Sequence, residues 1–539
     1  MIKRLLKGCL VLLIAIYVLG LGLFLISKRP ESSGERPLAG QPTGVQAAQT
    51  PASKGQPTNP TNVPGPLDRR VFTYYFYWYE TKDGKAGPNG ELFAIHPPAQ
   101  PEMDYHNVAW HKKQLMDMRD AGIDVVLPVY WGTQPTWSTE GLVAMVKAAD
   151  QMVAEGQQPP KIGLFLDTTI LDGRNLLTQG GKDFIYREIK EFYKLVPERH
   201  RATVNGRPII WLFKSDFASG FDQTTFDYLY SKLAADFGGK RPFIVREVSW
   251  DLAVRPGPDG KRQVDSTQHI VTDASYFWGS AFMGALDIGT VASVGPGYDD
   301  RRIPDRPGTL RDRAGGAWYE QNLVRALKSG RNWLVVETWN ELFEGTGICE
   351  TTEYGRRYIE LTRKYADYLK QAVTPPPLPA GKYAAAQQVS INLGQQDETA
   401  GLKLVQVADG LNEPVRKGDR WARQTVAKGD SGVRYLYFDV DDDFIFNQSS
   451  KVTLVVDYFD EGKAHLGVQY DSWGPNTSNL TDAIYKYAPM VDTNNSLAWR
   501  TATVTIPDAR FGNRQNSGAD FRLRIEGSDL AVARVIVRK

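Results

Sequence analysis

The stretch "WLVVETWNELFEGTGICE" (Trp333–Glu350) joins a short apolar run to a group of acidic and aromatic side chains. The run "WLVV" is continuous and apolar, as expected of a strand buried on both faces of a parallel sheet. The side chains that follow it include Trp339, Asn340, Glu341, Phe343 and Glu344. Because functional side chains of parallel α/β folds gather where the strands end, this stretch predicts both a final strand and a candidate site.

Seven similar runs precede it, and each becomes polar at its C-terminal end. They are "VFTYYFYWY", "DVVLPVYW", "KIGLFLDT", "RPIIWLFKS", "PFIVREVSW", "ASYFWG" and "TVASVGPGY". Helical periodicity separates most of them, for example over Asn107–Ala121 and Thr352–Ala372. Eight strands alternating with helices predict an α/β fold, a (β/α)8 TIM barrel over residues 70–376. A doubly wound open sheet is the alternative, although no glycine-rich phosphate loop follows the first strand.

The C-terminal part of the chain changes to an all-β pattern. The proline-rich break "TPPPLPAG" (Thr374–Gly381) predicts a linker at residues 377–384. After it, runs such as "VRYLYFDV" and "KVTLVVDYFD" alternate apolar and polar residues. Residues 385–539 are therefore predicted to form a β-sandwich or jelly roll.

Two features of this β module each have two interpretations. Tyr470 and Trp473 form either a sugar-binding platform or part of the core. The acidic residues Asp439, Asp441, Asp442 and Asp443 either hold a structural calcium ion through hard oxygen ligands or form a solvated turn.

The N-terminus predicts a membrane anchor. Lys3, Arg4 and Lys7 precede an apolar run of about 20 residues, which is long enough to cross a bilayer as a helix. Basic residues on the short side favour a cytoplasmic N-terminus, and no clear cleavage site follows the run. We expect residues 1–28 to be an uncleaved signal anchor, a cleaved signal peptide being the alternative. Residues 29–69, rich in Pro, Gly and Ser, are expected to form a disordered tether.

The composition argues against several classes of protein. The charges nearly balance, with 64 basic and 62 acidic residues, so a nucleic-acid partner is not expected. The two cysteines, Cys9 and Cys349, lie in unrelated parts of the chain and predict no disulfide. No Cys/His cluster has zinc spacing, and we expect no metal or other cofactor in the candidate site.

The pair of carboxylates in the opening stretch suits glycosidic bond cleavage. One carboxyl group protonates the leaving oxygen, while a second, ionised group stabilises or generates positive charge at the anomeric carbon. Glu341 and Glu344 are three residues apart, next to aromatic rings of the kind that stack on sugars. The alternative is that they and Asn340 only cap the helix expected next. Spacing alone does not separate these hypotheses.

Four motifs in order resemble a known family. "WNELFEGTGICE" resembles the Trp-Asn-Glu-Trp-x-Glu-Gly-Thr motif of glycoside hydrolase family 99, the endo-α-mannosidases, and the related bacterial domain of unknown function 5010. "YYFYWYE", "WHKKQLMDMRDAGIDVVLPVYWG" and "VASVGPGYDDRRI" are similar to further segments of that family. The resemblance spans most of residues 70–373 and implies that Glu341 is the base acting on a 2-hydroxyl and Glu344 the acid/base.

The resemblance and the strand ends together give a set of expected substrate-binding residues. Positions matching the family motifs are Tyr75, Trp78, Tyr298, Asp299, Arg302, Trp339 and Asn340, and the second strand of the matched segment ends in Tyr130 and Trp131. Residues at the ends of other predicted strands are Asp167, Glu247 and Trp278. Leu342 and Phe343 depart from the family motif, and "FLDTTIL" replaces its His-x-Glu-Pro segment, so specificity for mannose does not carry over.

These observations predict a membrane-anchored glycoside hydrolase of a bacterial cell, single-pass, with its catalytic domain outside the cytoplasm. It is expected to cleave an α-linked polysaccharide or oligosaccharide with retention and to carry a carbohydrate-binding-like β module. Two alternatives stay open: a non-catalytic glycan-binding scaffold in polysaccharide assembly or export, and a transglycosylase.

Overall fold

Eight parallel strands form the barrel. The computed structural model describes residues 68–81, 94–100, 102–303, 306, 308–427, 432–474 and 482–539. The strands are β1 (Arg70–Tyr75), β2 (Val125–Tyr130), β3 (Leu164–Leu166), β4 (Arg207–Leu212), β5 (Phe243–Glu247), β6 (Ala274–Tyr276), β7 (Ala292–Val294) and β8 (Trp333–Val336). Their order in the sheet is β6-β5-β4-β3-β2-β1-β8-β7.

The order closes on itself. The last strand β8 pairs with both β1 and β7, and the amides of Thr290 and Val291 donate to Ser275 O (2.8 and 3.0 Å) between β6 and β7. A doubly wound open sheet has two free edges and does not return its last strand to its first. The barrel prediction is therefore confirmed, and the open-sheet alternative is wrong.

Helices and short strands occupy the connections. The helices are α1 (Val108–Asp120), α2 (Thr136–Ala154), α3 (Gln179–Leu195), α4 (Gln223–Asp236), α5 (Ser280–Met283), α6 (Ala317–Lys328) and α7 (Arg357–Lys370). The short strands are Lys161–Ile162, Arg174–Asn175, Thr203–Val204, Ala218–Gly220, Leu252–Pro256, Arg262–His269, Tyr298–Asp299 and Leu310–Arg311.

The sequence predicted the start of one helix correctly and the start of another too early. The helix predicted over Asn107–Ala121 is α1, and Asn107 caps it by accepting the amides of Ala109 (2.9 Å) and Trp110 (3.3 Å). The helix predicted to begin at Thr352 instead begins at Arg357. The residues before it make backbone bridges instead, Pro98 with Thr351 and Thr351 with Gly355.

Aromatic rings fill the barrel interior. Tyr74 of β1 packs against Trp278 with ring centroids 4.9 Å apart, and Trp211 packs against Tyr276 at 4.7 Å. Such tilted contacts suit the ring quadrupoles and add to the burial of apolar area. Many of the chain's aromatic residues thus serve as core.

Two sheets form the C-terminal β-sandwich. Their strands are β9 (Gln388–Asn392), β10 (Glu398–Ala400), β11 (Leu402–Val405), β12 (Asn412–Lys417), β13 (Arg420–Thr425), β14 (Val433–Val440), β15 (Ser450–Phe459), β16 (Ala464–Tyr470), β17 (Lys486–Asp492), β18 (Trp499–Ala509), β19 (Phe521–Gly527) and β20 (Ala531–Arg538). One sheet has the order β11-β14-β19-β16-β17. The other sheet has seven strands and is centred on β20, which pairs with β9, β13 and β15.

The sandwich has its own core between the sheets. Leu436, Leu466, Leu523 and Val537 are fully buried there. Tyr470 belongs to this core as well, and its hydroxyl donates to Asp508 (2.9 Å). The hypothesis of a sugar platform on Tyr470 is therefore wrong, and the core interpretation holds for that residue. A β module after the barrel is confirmed.

The acidic turn of the sandwich contacts the barrel. Its carboxylates lie against side chains of α6 and the segment before it, in the pairs Arg311 with Asp439 (3.9 Å), Arg325 with Asp442 (3.3 Å) and Gln321 with Asp443 (2.9 Å). The turn is thus a docking edge rather than a solvated loop. In the described ranges no group of three or more His, Cys, Asp or Glu side chains is placed to hold a metal ion, and the structural calcium stays a prediction.

The expected anchor (residues 1–28) lies outside the described residues, as does the tether (29–69) apart from its last two positions. Among the helices that are described, none is both long and apolar enough to span a membrane.

Because the sandwich core is its own, we expect the fragment Gly381–Lys539 to fold when expressed alone. It should give β-type circular dichroism and a cooperative thermal transition. Leu523→Ala should lower its free energy of unfolding by about 2–5 kcal/mol, since it leaves a buried cavity. Trp421, which is 43% exposed, provides the matched control, and its change to Ala should cost less than about 0.5 kcal/mol. An unfolded fragment would show that the two parts share one core.

Candidate active site

The C-terminal end of β8 is fixed first by Glu337. Its buried carboxylate accepts the amides of Gly279 and Ser280 (both 2.9 Å) and the Ser280 hydroxyl (2.9 Å) at the start of α5. Burial raises the pKa of Glu337 to about 7, although these donors act in the opposite direction. The described hydrogen bonds of this carboxylate go to the start of α5, so Glu337 holds the β6–α5 connection against β8.

Asn340 joins the motif to the continuation of β1. Its Nδ2 donates to Phe76 O and its Oδ1 accepts from Phe76 N, both at 2.8 Å. Tyr79 adds a second link, since its hydroxyl donates to Asn340 O (2.9 Å) and accepts from Leu342 N (3.1 Å). These four hydrogen bonds fix Asn340 and Leu342, the residues on either side of Glu341.

The chain after Glu341 turns back on itself and starts no helix. Thr338 N donates to Thr346 O (3.1 Å), and Thr346 N donates to Glu341 O (3.1 Å). Buried Arg313 donates to Gly345 O (2.6 Å) and to Gly347 O (2.7 Å). Gly345 has φ +58° and lies against Asp299, where a side chain would be strained. The helix-capping hypothesis for Glu341 and Glu344 is wrong, because the next helix, α7, begins only at Arg357.

Glu341 is buried and favours its protonated form. Its Oε1 accepts the amide of Phe343 (3.1 Å). Burial is the largest cause raising the pKa of Glu341 to about 8, and the carboxylate of Glu344 adds to it. Arg306 acts in the opposite direction. Burial therefore favours the protonated form of this group in the free protein.

Glu344 is held by a cation. Arg306 Nη1 donates to Glu344 Oε1 (2.8 Å) and to the hydroxyl of Tyr298 (2.8 Å), which in turn donates to Asp300 (3.1 Å). The neighbouring Glu344 carboxylate raises the pKa of Arg306, although burial opposes this. The two motif carboxyls thus have different partners: burial favours a proton on Glu341, and a guanidinium is paired with Glu344.

Aromatic side chains border the pair. Trp78 meets Phe343 edge to face (5.7 Å) and stacks on Trp131 (6.0 Å, 25°). Trp137, at the start of α2, lies 5.6 Å from Trp131. The three tryptophans are half-buried. The predicted site residues Trp78 and Trp131 are therefore brought together beside the motif, and Trp137 joins them.

Three expected substrate-binding residues face the helical layer instead. Tyr75 bonds to His111 of α1 (3.0 Å), Trp339 donates to Gln114 of α1 (2.7 Å), and Tyr130 packs against Phe192 of α3 (5.2 Å). Successive side chains of a strand point to opposite faces, so Tyr74 enters the barrel and Tyr75 leaves it. These three predictions need correction: the residues support the wall of the site and do not line it.

Three further predicted residues lie at strand ends with structural partners. Asp167 accepts the amide and hydroxyl of Thr169 (3.0 and 2.7 Å), and burial raises its pKa to about 6. Glu247 accepts the amides of Ser249 (2.7 Å) and Trp278 (3.2 Å). Burial raises the pKa of Glu247. The Trp278 ring packs inside the barrel.

The segment after β7 contributes differently from the prediction. Arg302 donates to Ala94 O (2.7 Å), away from the carboxyl pair, and Asp299 is paired with Arg301 (2.6 Å). Asp299 N donates to Glu344 O (2.8 Å), so this segment positions the motif through its backbone. Arg306, which the sequence analysis did not single out, is the residue that reaches Glu344.

A cavity of about 530 Å³ lies beside the motif towards α1. Its lining includes Met103, Trp110, Lys113, Leu342 and Cys349. Neither Glu341 nor Glu344 lines it. His111 is buried nearby between Tyr75 and Tyr105 O (2.8 Å), and burial lowers its pKa to about 4, consistent with a structural role.

The arrangement is suited to moving protons at a bond between two sugars. A neutral carboxylic acid is able to donate, an ionised carboxylate is able to accept, and the half-buried tryptophans offer flat apolar faces beside them. One proton shared by two adjacent carboxyls is a recurring device of acid/base sites, because like charges raise each other's proton affinity.

Comparison with known proteins places the barrel in a family. A family model described as Domain of unknown function (DUF5010) matches residues 76–376, more than half of the chain. The chain belongs to this family. The resemblance to it that the four motifs indicated is thereby confirmed.

Part of this chain is similar to a mannosidase. Glycoprotein endo-alpha-1,2-mannosidase of Rattus norvegicus is 33% identical over 100 residues, covering 16% of this chain and 22% of that protein. This chain therefore spans about a fifth of that relative's length.

Two solved structures are also similar to this chain. The GH99 endo-alpha-mannosidase from Bacteroides thetaiotaomicron, in complex with bis-tris-propane, has a TM-score of 0.43 at 17% identity, covering 57% of this chain and 99% of that one. A glycoside hydrolase-like protein has a TM-score of 0.43 at 12% identity, covering 58% and 97%.

The raised pKa of Glu341 predicts a pH-dependent stability. Between pH 4.5 and about 8 the native state keeps a proton that the unfolded chain releases. Stability from this group is therefore complete below pH 4.5 and is lost as pH rises towards 8, by at most about 1.4 kcal/mol per pH unit. Glu341→Gln cannot ionise, so its free energy of unfolding should rise relative to the wild type over this range in urea titrations.

The exposed Glu360→Gln variant controls for the exchange of a carboxylate for an amide. Its difference from the wild type should be the same at pH 5 and pH 8. A Glu341→Gln difference that is equally flat with pH would show that Glu341 is ionised in the native state.

Proposed function

We propose that this protein is a glycoside hydrolase that cleaves an α-linked polysaccharide with retention through Glu341 and Glu344. The observation that carries the proposal is a pair of carboxyls beside the end of β8, of which Glu341 is buried and Glu344 is bound to the cation of Arg306. The end of β8 is the active face of a TIM barrel. The half-buried Trp78 and Trp131 beside the pair support a sugar substrate.

The roles follow the resemblance. Glu341 takes the proton of the 2-hydroxyl, whose oxygen attacks the anomeric carbon and gives a 1,2-anhydro sugar, while Glu344 protonates the leaving oxygen. Glu344 then removes a proton from water, which opens the anhydro ring at the anomeric carbon, and Glu341 returns its proton to the 2-oxygen. Two inversions give net retention, and each carboxyl ends in its starting state.

The resting charges require one adjustment before this cycle. In the free protein burial favours a proton on Glu341, whereas Arg306 pairs with Glu344. We propose that the bound sugar separates Glu344 from Arg306, so that the shared proton moves from Glu341 to Glu344. Burial, the largest cause of the raised pKa of Glu341, still makes its carboxylate a stronger base for a hydroxyl proton.

The alternative functions differ from hydrolysis in what happens at the pair. A non-catalytic glycan-binding scaffold does not need a buried carboxyl beside one that is paired with a cation, so this arrangement favours an enzyme. A transglycosylase uses the same pair with a sugar hydroxyl in place of water, and product analysis separates it from a hydrolase. Leu342 replaces the Trp of the family motif, so the motif does not identify the sugar. Assays with a panel of α-mannans and α-glucans identify it.

Glu341→Gln and Glu344→Gln should each lower turnover on the order of 10²–10⁴-fold while the thermal transition stays cooperative, because the amide keeps the size of the side chain. An activated aryl glycoside, whose leaving group needs little protonation, should restore activity to Glu344→Gln more than to Glu341→Gln. Product sizing on the best polysaccharide of the panel, together with aryl glycoside kinetics, provides both measurements.

Glu360→Gln serves as the control with unchanged turnover. If the aryl glycoside rescues Glu341→Gln instead of Glu344→Gln, the two roles are reversed. Glu341 would then be the proton donor, as its protonation in the free protein favours, and Glu344 the base. Full turnover in both variants would exclude the carboxyl pair as the catalytic centre.

We also propose that residues 1–28 anchor the chain in the bacterial cell membrane with the barrel outside the cytoplasm. The support is the basic N-terminus before an apolar run. Protease added to intact spheroplasts should digest the barrel and leave a small membrane-bound fragment. A barrel that is protected until the spheroplasts are lysed would place it on the cytoplasmic side. A cytoplasmic marker enzyme monitors spheroplast integrity.

A further inference from the structure

The outward face of the five-stranded sheet (β11-β14-β19-β16-β17) is polar and aromatic. Along β14, β16 and β19 alternate side chains enter the core, among them Leu436, Leu466 and Leu523. The side chains between them point outward, as the strand period requires. We call this surface the sheet face and define it by Tyr435, Gln469, Tyr485, Tyr487, Arg522 and Arg524.

Tyr487 lies flat on the sheet face. Gly467 is the residue beneath it, and a Cβ at that position would come within 2.6 Å of the ring. The Tyr487 hydroxyl is 2.6 Å from His465 Nε2, which fixes the ring at its outer end, and the side chain is 42% exposed. An open aromatic ring lying parallel to a surface presents its whole face to a ligand.

The charges of the sheet face are balanced. Arg522 stacks on Tyr435 (3.8 Å) and Tyr485 (4.1 Å), and its charge is matched by Asp409 at 3.7 Å. Arg524 is paired with Glu526 in the same way. Among the described residues that define the sheet face, both arginines are paired with a carboxylate, and donors, acceptors and rings alternate along the strands. This chemistry suits an uncharged sugar chain, which has hydroxyl edges and apolar faces.

A series of contacts leads from the sheet face to the barrel. The Tyr485 hydroxyl donates to Asn516 Oδ1 (3.0 Å). Two residues on, a Cβ at Gly518 would come within 2.8 Å of Phe282 of the barrel. Phe282 packs edge to face on Tyr298 (5.8 Å). Tyr298 is the residue whose hydroxyl accepts from Arg306, so a continuous line of contacts leads from the sheet face to Glu344.

We infer that the sheet face binds an uncharged glycan chain and holds it in line with Glu341 and Glu344, so that the β module extends the substrate cleft. This inference rests on the proposed function for the cleavage step but not for the binding step. It implies an enzyme that acts within polymers, with the sugar units beyond the cleaved bond resting on Tyr487.

Binding is tested first, with the full chain in mild detergent and native gels containing yeast α-mannan, dextran or pullulan. We expect retardation by at least one of these polymers. Tyr487→Ala should weaken it on the order of tenfold, as for an exposed aromatic anchor. Gly467→Val, which keeps the tyrosine but lifts its ring, should do the same. Trp421→Ala removes an equally exposed ring (43%) from the other sheet and should change nothing.

Cleavage is tested second, by comparing kcat/KM on a polymer and on a short aryl glycoside. The ratio of polymer to short-substrate kcat/KM should fall about tenfold in Tyr487→Ala and stay constant in Trp421→Ala. A constant ratio in both, or retention of polymer binding by both sheet-face variants, would overturn the inference even if the hydrolase is active. Loss of binding in Tyr487→Ala without any hydrolysis by the wild type would instead contradict the proposed function alone. Absence of binding to all three polymers would overturn the sheet-face site.

Discussion

The paired hydrogen bonds between the Asn340 amide and the backbone of Phe76 are the constraint on which the site depends. They join the last barrel strand to the first just beyond the sheet, where β1 has already left the ladder. A side-chain amide that bonds to both the N–H and the C=O of one residue replaces the pair of backbone hydrogen bonds that a neighbouring strand would make. The residue that follows, Glu341, is thereby placed by the closure of the barrel itself.

The electrostatics of the site follow from this placement. Glu341 is drawn into a buried position, so its neutral form is favoured, while Glu344 is three residues further along a turn and meets Arg306. The same backbone thus sets two carboxyls at different depths and gives them different partners.

The sequence was sufficient for the architecture and insufficient for side-chain directions. The eight strands could be predicted because strands buried on both faces are continuously apolar. For the same reason, the pattern does not indicate which side chains point into the barrel. Tyr75, Tyr130 and Trp339 were therefore assigned to the cleft although they face the helices. Arg306 was missed for another reason: the path of the loop after Tyr298 decides which arginine returns to Glu344, and spacing does not encode that path.

The docking edge between the sandwich and the barrel has an evolutionary consequence. Three carboxylates of the acidic turn are paired with α6 and the segment before it. The start of α5, which lies against Gly518, is also held by the carboxylate of Glu337. A foreign β module joined at the same linker would leave Arg325 without its carboxylate and Phe282 without its cover. The two parts are thus constrained to change together, and the barrel is expected to travel between genomes with this module rather than as a freely exchangeable cassette.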